Sequence, residues 1–221
     1  MTWWREESRR RRRAAGTLTF DRYVRASRAI HIPEQTRGPW SISRWTPKPL
    51  DADLADIRAL TGGSYGPGRG RIDAGRAITI LARGSHQLVM SDSPDELRDA
   101  WGFVDRAHGT VLVNGLGIGC VVRALLAKDD VDHITVVEID ADIIAMMRPH
   151  FAVALATGRL TIIHDDAYTV KWPTGTRFTC AWHDVWDDLS GDNDFATLNR
   201  RYGRRVEFQE AWGQEYVESM R

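Results

Sequence analysis

The chain has 221 residues, no net formal charge, 43% apolar residues and 27% charged ones. That length holds one domain with a real core plus an appendage and excludes two large domains, while the balanced charge excludes a polyanion binder acting through the whole surface. No apolar run approaches the roughly 20 residues of a membrane span, and the charged N-terminus has no apolar stretch behind it, so it does not read as a secretory signal.

Residues 1–70 read as an N-terminal extension, poor in periodic pattern. It opens MTWWREESRRRRRAAG, with consecutive arginines at Arg9–Arg13. Such a run can bind nucleic acid. With Glu6 and Glu7 beside it and no second basic block, a solvated tail is the preferred reading. In DADLADIRAL, Leu54, Ile57 and Leu60 at helical spacing predict a short helix over 51–60. GGSYGPGRGR at 62–71 is a loop.

Residues 71–109 form a second segment. Two β-prone runs at about 77–82 and 87–90 flank ARGSH, a hairpin pattern. Ser93 caps a following helix, with Pro94 at its first position and Asp95 and Glu96 in its first turn. That helix runs to about Ala107 and Gly109 ends it. From 110 to 221 strands and helices alternate: TVLVN, a helix over about 119–128, HITVVEI (133–139), a helix capped by Asp140 and broken near Pro149, RLTIIH (159–164) and FTCAWHD (178–184). The run FATLNRRYGRR is helical, and VEFQEAWGQEYVESMR is open between strand and helix. This alternation predicts an α/β fold: a Rossmann-like, doubly wound, mainly parallel sheet preceded by a small β-hairpin element. Cys120 and Cys180 fall in predicted core elements and read as buried thiols, which fits a cytoplasmic protein.

In such a sheet, ligands sit beyond the carboxyl ends of the strands. VLVNGLGIGC puts Gly115, Gly117 and Gly119 at one of those ends, where a bare backbone can approach a ligand closely. Glu138 ends the next strand, where a carboxylate can accept from two ribose hydroxyls. Asp165 and Asp166 follow the third strand, where an Asp can accept from an exocyclic amine and a backbone amide can meet a ring nitrogen. Asp184 follows the fourth. Singly, each acid is more simply a helix cap or a turn residue. Four successive strands delivering glycine or acid to one edge point to a nucleoside-type ligand.

VLVNGLGIGC, ITVVEIDADII, RLTIIHDDAYT and AWHDVWDD together resemble the class I S-adenosylmethionine-dependent methyltransferase fold. VVEID before a helix and QLVMSDSPDE from a preceding hairpin resemble its spermidine-synthase-like branch, including bacterial and phage methyltransferases. The resemblance covers about 75–190. It implies S-adenosylmethionine as cofactor, held by Asn114, Gly115, Gly117 and Gly119 at the methionine and ribose, Glu138 at the ribose, and Asp165, Asp166 and Ala167 near the adenine. It implies Asp184 beside the transferred group, as the catalytic residue.

Aminopropyltransferases resemble G-G-G-D-G-G at this loop. Here Ile118 replaces the acid, and an apolar residue cannot satisfy the extra ammonium of decarboxylated S-adenosylmethionine. Methyl transfer to a small molecule or peptide is therefore favoured over aminopropyl transfer; a non-catalytic binding protein is the further alternative. His183 reads as a satisfied core histidine, pointing away from Asp184 by strand alternation. Trp182 reads as core, and Trp186 as a residue that can stack on a flat substrate. DVWDD is similar to the D-x-W-x-D of magnesium-dependent methyltransferases, but its Asp192-Asn193 pair lies in the same loop, and no metal is expected. Thirty-seven residues follow Asp184, which predicts a sheet shortened at the C-terminal side or completed by a second copy in a homodimer.

Overall fold

In the computed structural model, residues 18–60, 72–85, 87–187 and 195–214 are described, apart from the side chains of 58–60. The arginine run, the 62–71 loop, Asp192-Asn193 and the last residues of the C-terminal segment lie outside them. Two sheets organise the rest. The first is antiparallel, in the order β1 (Gln35–Arg37), β2 (Trp40–Trp45), β3 (Ile78–Arg83) and β4 (Gln87–Ser91). The second is wholly parallel. It contains β5 (Gly109–Asn114), β6 (Val131–Glu138), β7 (Leu160–His164), β8 (Cys180–His183) and β9 (Phe208–Ala211), in the order β7-β6-β5-β8-β9. Starting at the middle strand and stepping outward one way and then the other is the Rossmann-like order, and it places a topological switch point between β5 and β8.

The helices are α1 (Phe20–Ser27), α2 (Pro49–Leu60), α3 (Pro94–Arg106), α4 (Cys120–Leu126), α5 (Ala141–Met147), α6 (Ala152–Ala156) and α7 (Phe195–Tyr202). Their starts follow local chemistry. Ser93 accepts from the Glu96 amide with Pro94 in the first turn of α3, and Ala107 donates to Phe103 O at its end. Asp140 accepts from the amides of Asp142 and Ile143 at 2.8 and 3.2 Å to start α5. Pro149 lies in a 3₁₀ turn, Arg148–Phe151, which separates α5 from α6.

Alternation along the parallel strands divides the core. Val111, Val113, Ile134, Val136, Cys180 and Trp182 pack with α1, α3, α4 and α5 on one face. Leu112, Val137 and Ala181 pack with Leu198 and Tyr202 of α7 on the other. Both cysteines are free and buried; burial pushes the Cys120 thiol up to about 12. No helix among the described residues is long and apolar enough to cross a membrane.

Three features differ from the sequence expectation. The hairpin β3–β4 is half of a four-stranded sheet, because WSISRW pairs with β3 along its whole length, from Trp40 opposite Arg83 to Trp45 opposite Ile78. Trp40 and Ile42 are its buried positions, a period-two signal only two residues long. Residues 20–27, thought unpatterned, form α1, capped by Thr19 and burying Tyr23, Val24 and Ser27. In the C-terminal segment, Phe208–Ala211 adopts the strand alternative and supplies a fifth parallel strand beside β8. The α2 helix forms as its spacing predicts, yet Leu54 and Ile57 are exposed.

Candidate functional site

The parallel strands end on a cavity of about 670 Å³, within the usual range of small-molecule sites. Gly115 and Gly117 after β5, Glu138 and Asp140 at the end of β6, Asp166 and Ala167 after β7, and Asp184 and Trp186 after β8 form its floor and sides. The antiparallel sheet roofs it with Trp40, Leu81, Arg83 and Met90.

Gly115 shows why the loop after β5 is bare. Its φ is 94°, and a Cβ there would overlap the carbonyl oxygen of Asp184. Gly115 N donates to Val137 O, and Asp184 N donates to Asn114 O, both at 2.8 Å, so the exits of β5, β6 and β8 are laced together. A Cβ on Gly117 would overlap Met90 Sδ. Gly119 starts α4 with φ 74° and packs against Phe151; it does not line the cavity.

Glu138 does more than face a ligand. One carboxylate oxygen accepts from Leu116 N at 2.7 Å and the other from Asp140 N at 2.9 Å, so this side chain clamps the glycine loop onto the end of β6. Burial raises its pKa against the opposing pull of those amides. A carboxylate offers about four lone-pair sites, so capacity remains for hydroxyl donors in the cavity. Asp184 is pushed up to about 7, by burial first and then by the charges of Asp99 and Glu138.

After β7, Asp165 Oδ1 accepts from Asp166 N, and Asp166 Oδ1 accepts from Tyr168 N, each at 2.8 Å. Asp166 and Ala167 line the cavity and Asp165 does not. Asn114 also stands apart. It is completely buried, and its Nδ2 lies 2.7 Å from His183 Nδ1. His183 Nε2 in turn contacts Gln209 Oε1 at 2.9 Å, and Gln209 Nε2 donates to Asn199 O at 3.0 Å. Burial drives the imidazole down to about 4, so it is neutral near pH 7, donating through Nε2 and accepting at Nδ1. His183 is the satisfied core histidine that the sequence suggested, and Asn114 belongs to its network. Trp182 is core as expected, against Phe103 at 5.4 Å between ring centroids. Trp186 lines the cavity and meets Phe195 edge-on at 4.6 Å.

The roof residues had no counterpart in the sequence reading. Trp40 Nε1 donates to Asp140 Oδ2 at 2.7 Å, Arg37 pairs with Asp142 at 2.9 Å, and Arg83 pairs with Asp187 at 2.9 Å. Burial works to raise the Asp140 carboxyl, but the donors Trp40, Ile143 and Asp142 outweigh it and hold the group low. Arg83 also lies 5.2 Å over the Trp40 ring. Met90 reaches down to the glycine loop, its Sδ 3.4 Å from Ile118 N, a weak acceptor on a backbone donor. The only sequence signal for this roof was the alternation in WSISRW. Among the described residues no group of three or more His, Cys, Asp or Glu is arranged to hold a metal ion.

The fold and site thus define an α/β protein with a Rossmann-like sheet and a roofed, acid-lined cavity at its carboxyl edge. No family model matches the chain. A stretch of 92 residues is 39% identical to the protein named "Probable ribosomal RNA small subunit methyltransferase A" of Haloquadratum walsbyi (strain DSM 16790 / HBSQ001), covering 42% of this chain. The match spans 28% of that relative, under a third of its length. Among solved structures, the SAH-bound methyltransferase PaMTH1 of Podospora anserina is 16% identical with a TM-score of 0.38, over 52% of this chain and 48% of that one. The CcbJ methyltransferase of Streptomyces caelestis is 19% identical with a TM-score of 0.40, over 50% and 49%.

Proposed function

We propose that the protein is an S-adenosylmethionine-dependent methyltransferase acting on a small molecule or peptide. One observation carries this reading: Gly115, Gly117, Glu138, Asp166, Ala167 and Asp184, delivered by four different strands, line one cavity of about 670 Å³. The identity with a methyltransferase over 92 residues supports it. The residues fit the cofactor. Glu138 has carboxylate capacity toward ribose hydroxyls, the Gly115–Gly117 backbone is open to close approach, and Asp166 and Ala167 stand where an adenine edge would be met. When bound, S-adenosylmethionine supplies an electrophilic sulfonium methyl.

The chain's own residues position the acceptor and take its proton. Asp184 sits at the cavity wall with its carboxyl near 7, matched to a general base working near neutrality. As the acceptor's lone pair forms the new bond to carbon, the carbon–sulfur bond breaks with its electrons staying on sulfur, and the acceptor's proton passes to Asp184. In-line displacement depends chiefly on holding the two reactants in register, which the roof ties at Asp140, Asp142 and Asp187 serve.

The test is transfer of labelled methyl from S-adenosylmethionine to panels of small amines, phenols and short peptides, with the Asp184→Asn variant in parallel. Label transfer that falls at least about 100-fold in the variant, with S-adenosylhomocysteine binding retained, supports the reading. Transfer from decarboxylated S-adenosylmethionine of its aminopropyl group would replace it. Since the matched relative is named for ribosomal RNA, RNA is the second acceptor class; salt-sensitive label transfer to small-subunit RNA and to no small molecule would establish that reading instead.

A further inference from the structure

Behind the cavity lies a second, inner pocket of about 30 Å³, room for one or two water-sized groups. Met90 and Asp184 line both spaces and form the partition between them. Tyr23 of α1, Glu96 of α3 and Trp182 of β8 are among the inner walls. None of the lining residues is Lys, Arg or His. Asp99 adds a third carboxylate nearby: its Oδ2 accepts from Trp212 Nε1 at 3.2 Å, and its charge acts on Tyr23, Glu96 and Asp184 alike.

Acids in a crevice do not make a site by themselves. The second observation is Tyr23. Its side chain is completely buried, yet its hydroxyl has no hydrogen-bond partner. An unmet hydroxyl buried among carboxylates is an incomplete constellation. The missing partner must donate to several acceptors at once, carry positive charge and fit a space of one or two waters. A primary ammonium meets all three demands, having three N–H donors and no acceptor.

We propose that the inner pocket receives the primary ammonium head of the acceptor, donating to Glu96, Asp184 and Tyr23 Oη, with Met90 as the side chain that moves to admit it. The proposal deepens the methyltransferase reading and rests on it for the identity of the outer cavity. Met90 suits the partition because an unbranched thioether with three rotatable bonds repacks readily. Burial is the largest cause raising Glu96 and Asp184, with their mutual charge adding to it, and both reach about 7. The empty pocket therefore holds protons that an entering cation displaces. A quaternary ammonium has no N–H to donate and is too large for the pocket; an alcohol of the same length brings no charge.

The experiment titrates propylamine hydrochloride into the full chain, with and without S-adenosylhomocysteine, following the indole N–H signals of Trp182 and Trp212 by nuclear magnetic resonance. Propanol and tetramethylammonium chloride are the controls. The expected result is saturable propylamine binding that weakens at least about tenfold in Glu96→Gln and several-fold in Tyr23→Phe, with neither control binding. No propylamine binding, equal affinity in wild type and both variants, or propanol binding as well as propylamine would each overturn the proposal. Should Glu96→Gln fail to fold, Tyr23→Phe, which removes one oxygen and keeps the ring, decides it. S-adenosylhomocysteine is titrated separately: its failure to bind removes the methyltransferase reading whatever the amine does, whereas its binding without propylamine binding removes only the inner subsite.

Discussion

The parallel sheet and the antiparallel sheet meet across one cavity and contribute in different ways. The parallel sheet supplies chemistry. Its strand ends present glycine or carboxylate at regular places, because a βα turn always leaves its first residues beyond the carboxyl edge. The antiparallel sheet supplies closure. It reaches the floor through single side chains, Trp40 to Asp140, Arg37 to Asp142 and Arg83 to Asp187, two of them surface ion pairs of small individual value. A site built this way keeps its reacting groups on the rigid layer and its access on the less anchored one.

That contrast predicts graded effects. Asp184→Asn should lower methyl transfer by about 10²–10⁴-fold, the usual contribution of a general base, while binding of S-adenosylhomocysteine changes little; equal loss of both would move Asp184 from chemistry to architecture. Gly115→Ala should cost about 3 kcal/mol or more of stability in urea unfolding, since the added carbon meets Asp184 backbone at a positive φ; an unchanged midpoint would mean the strand exits are not laced together. On the roof, Trp40→Phe keeps the packing and removes one hydrogen bond to a carboxylate. It should cost about 1–2 kcal/mol and weaken ligand binding less than any floor variant does.

A smaller effect is expected with pH. Burial raises Glu96 to about 7 from 4.5. Its protonated form is favoured in the folded state, so this stability is fully present below about 4.5 and is lost as pH rises to about 7 and beyond. Glu96→Gln removes the titration. The melting temperature of the variant minus that of wild type should therefore increase between about pH 5 and pH 8, by a few degrees. A constant difference would place Glu96 in contact with solvent. His183, lowered to about 4 by burial, acts in the opposite sense, favouring the fold above about 6.5 and losing that contribution as pH falls; it is common to both proteins and cancels in the difference.

The parallel sheet was legible because its strands are long apolar runs separated by amphipathic helices, and its glycines and acids fall at strand ends. The roof was not, because β1 is three residues long and only Trp40 and Ile42 of β2 are buried; the pairing of Trp40–Trp45 with Ile78–Arg83 joins segments 38 residues apart and leaves no local mark. Sequence position placed Glu138 and Asp184 in the cavity wall. It could not show that Glu138 is held by the amides of Leu116 and Asp140, or that Asn114 turns into the core to meet His183. Asp165 and Asp166 are adjacent, and only the turn geometry separates the one that lines the cavity from the one that does not. Tyr23 and Glu96 reach the inner pocket from α1 and α3, and no motif announces such a convergence.

The central claim is that the floor binds a methyl-donor nucleoside through Glu138. The most direct measurement is calorimetric titration of S-adenosylhomocysteine into the wild-type chain and into Glu138→Gln, which keeps one acceptor for the glycine-loop amide. Saturable one-to-one binding that weakens about tenfold or more in the variant, with its melting temperature near wild type, is the predicted result. Absence of binding to the folded wild-type protein, or equal binding by both, would contradict it.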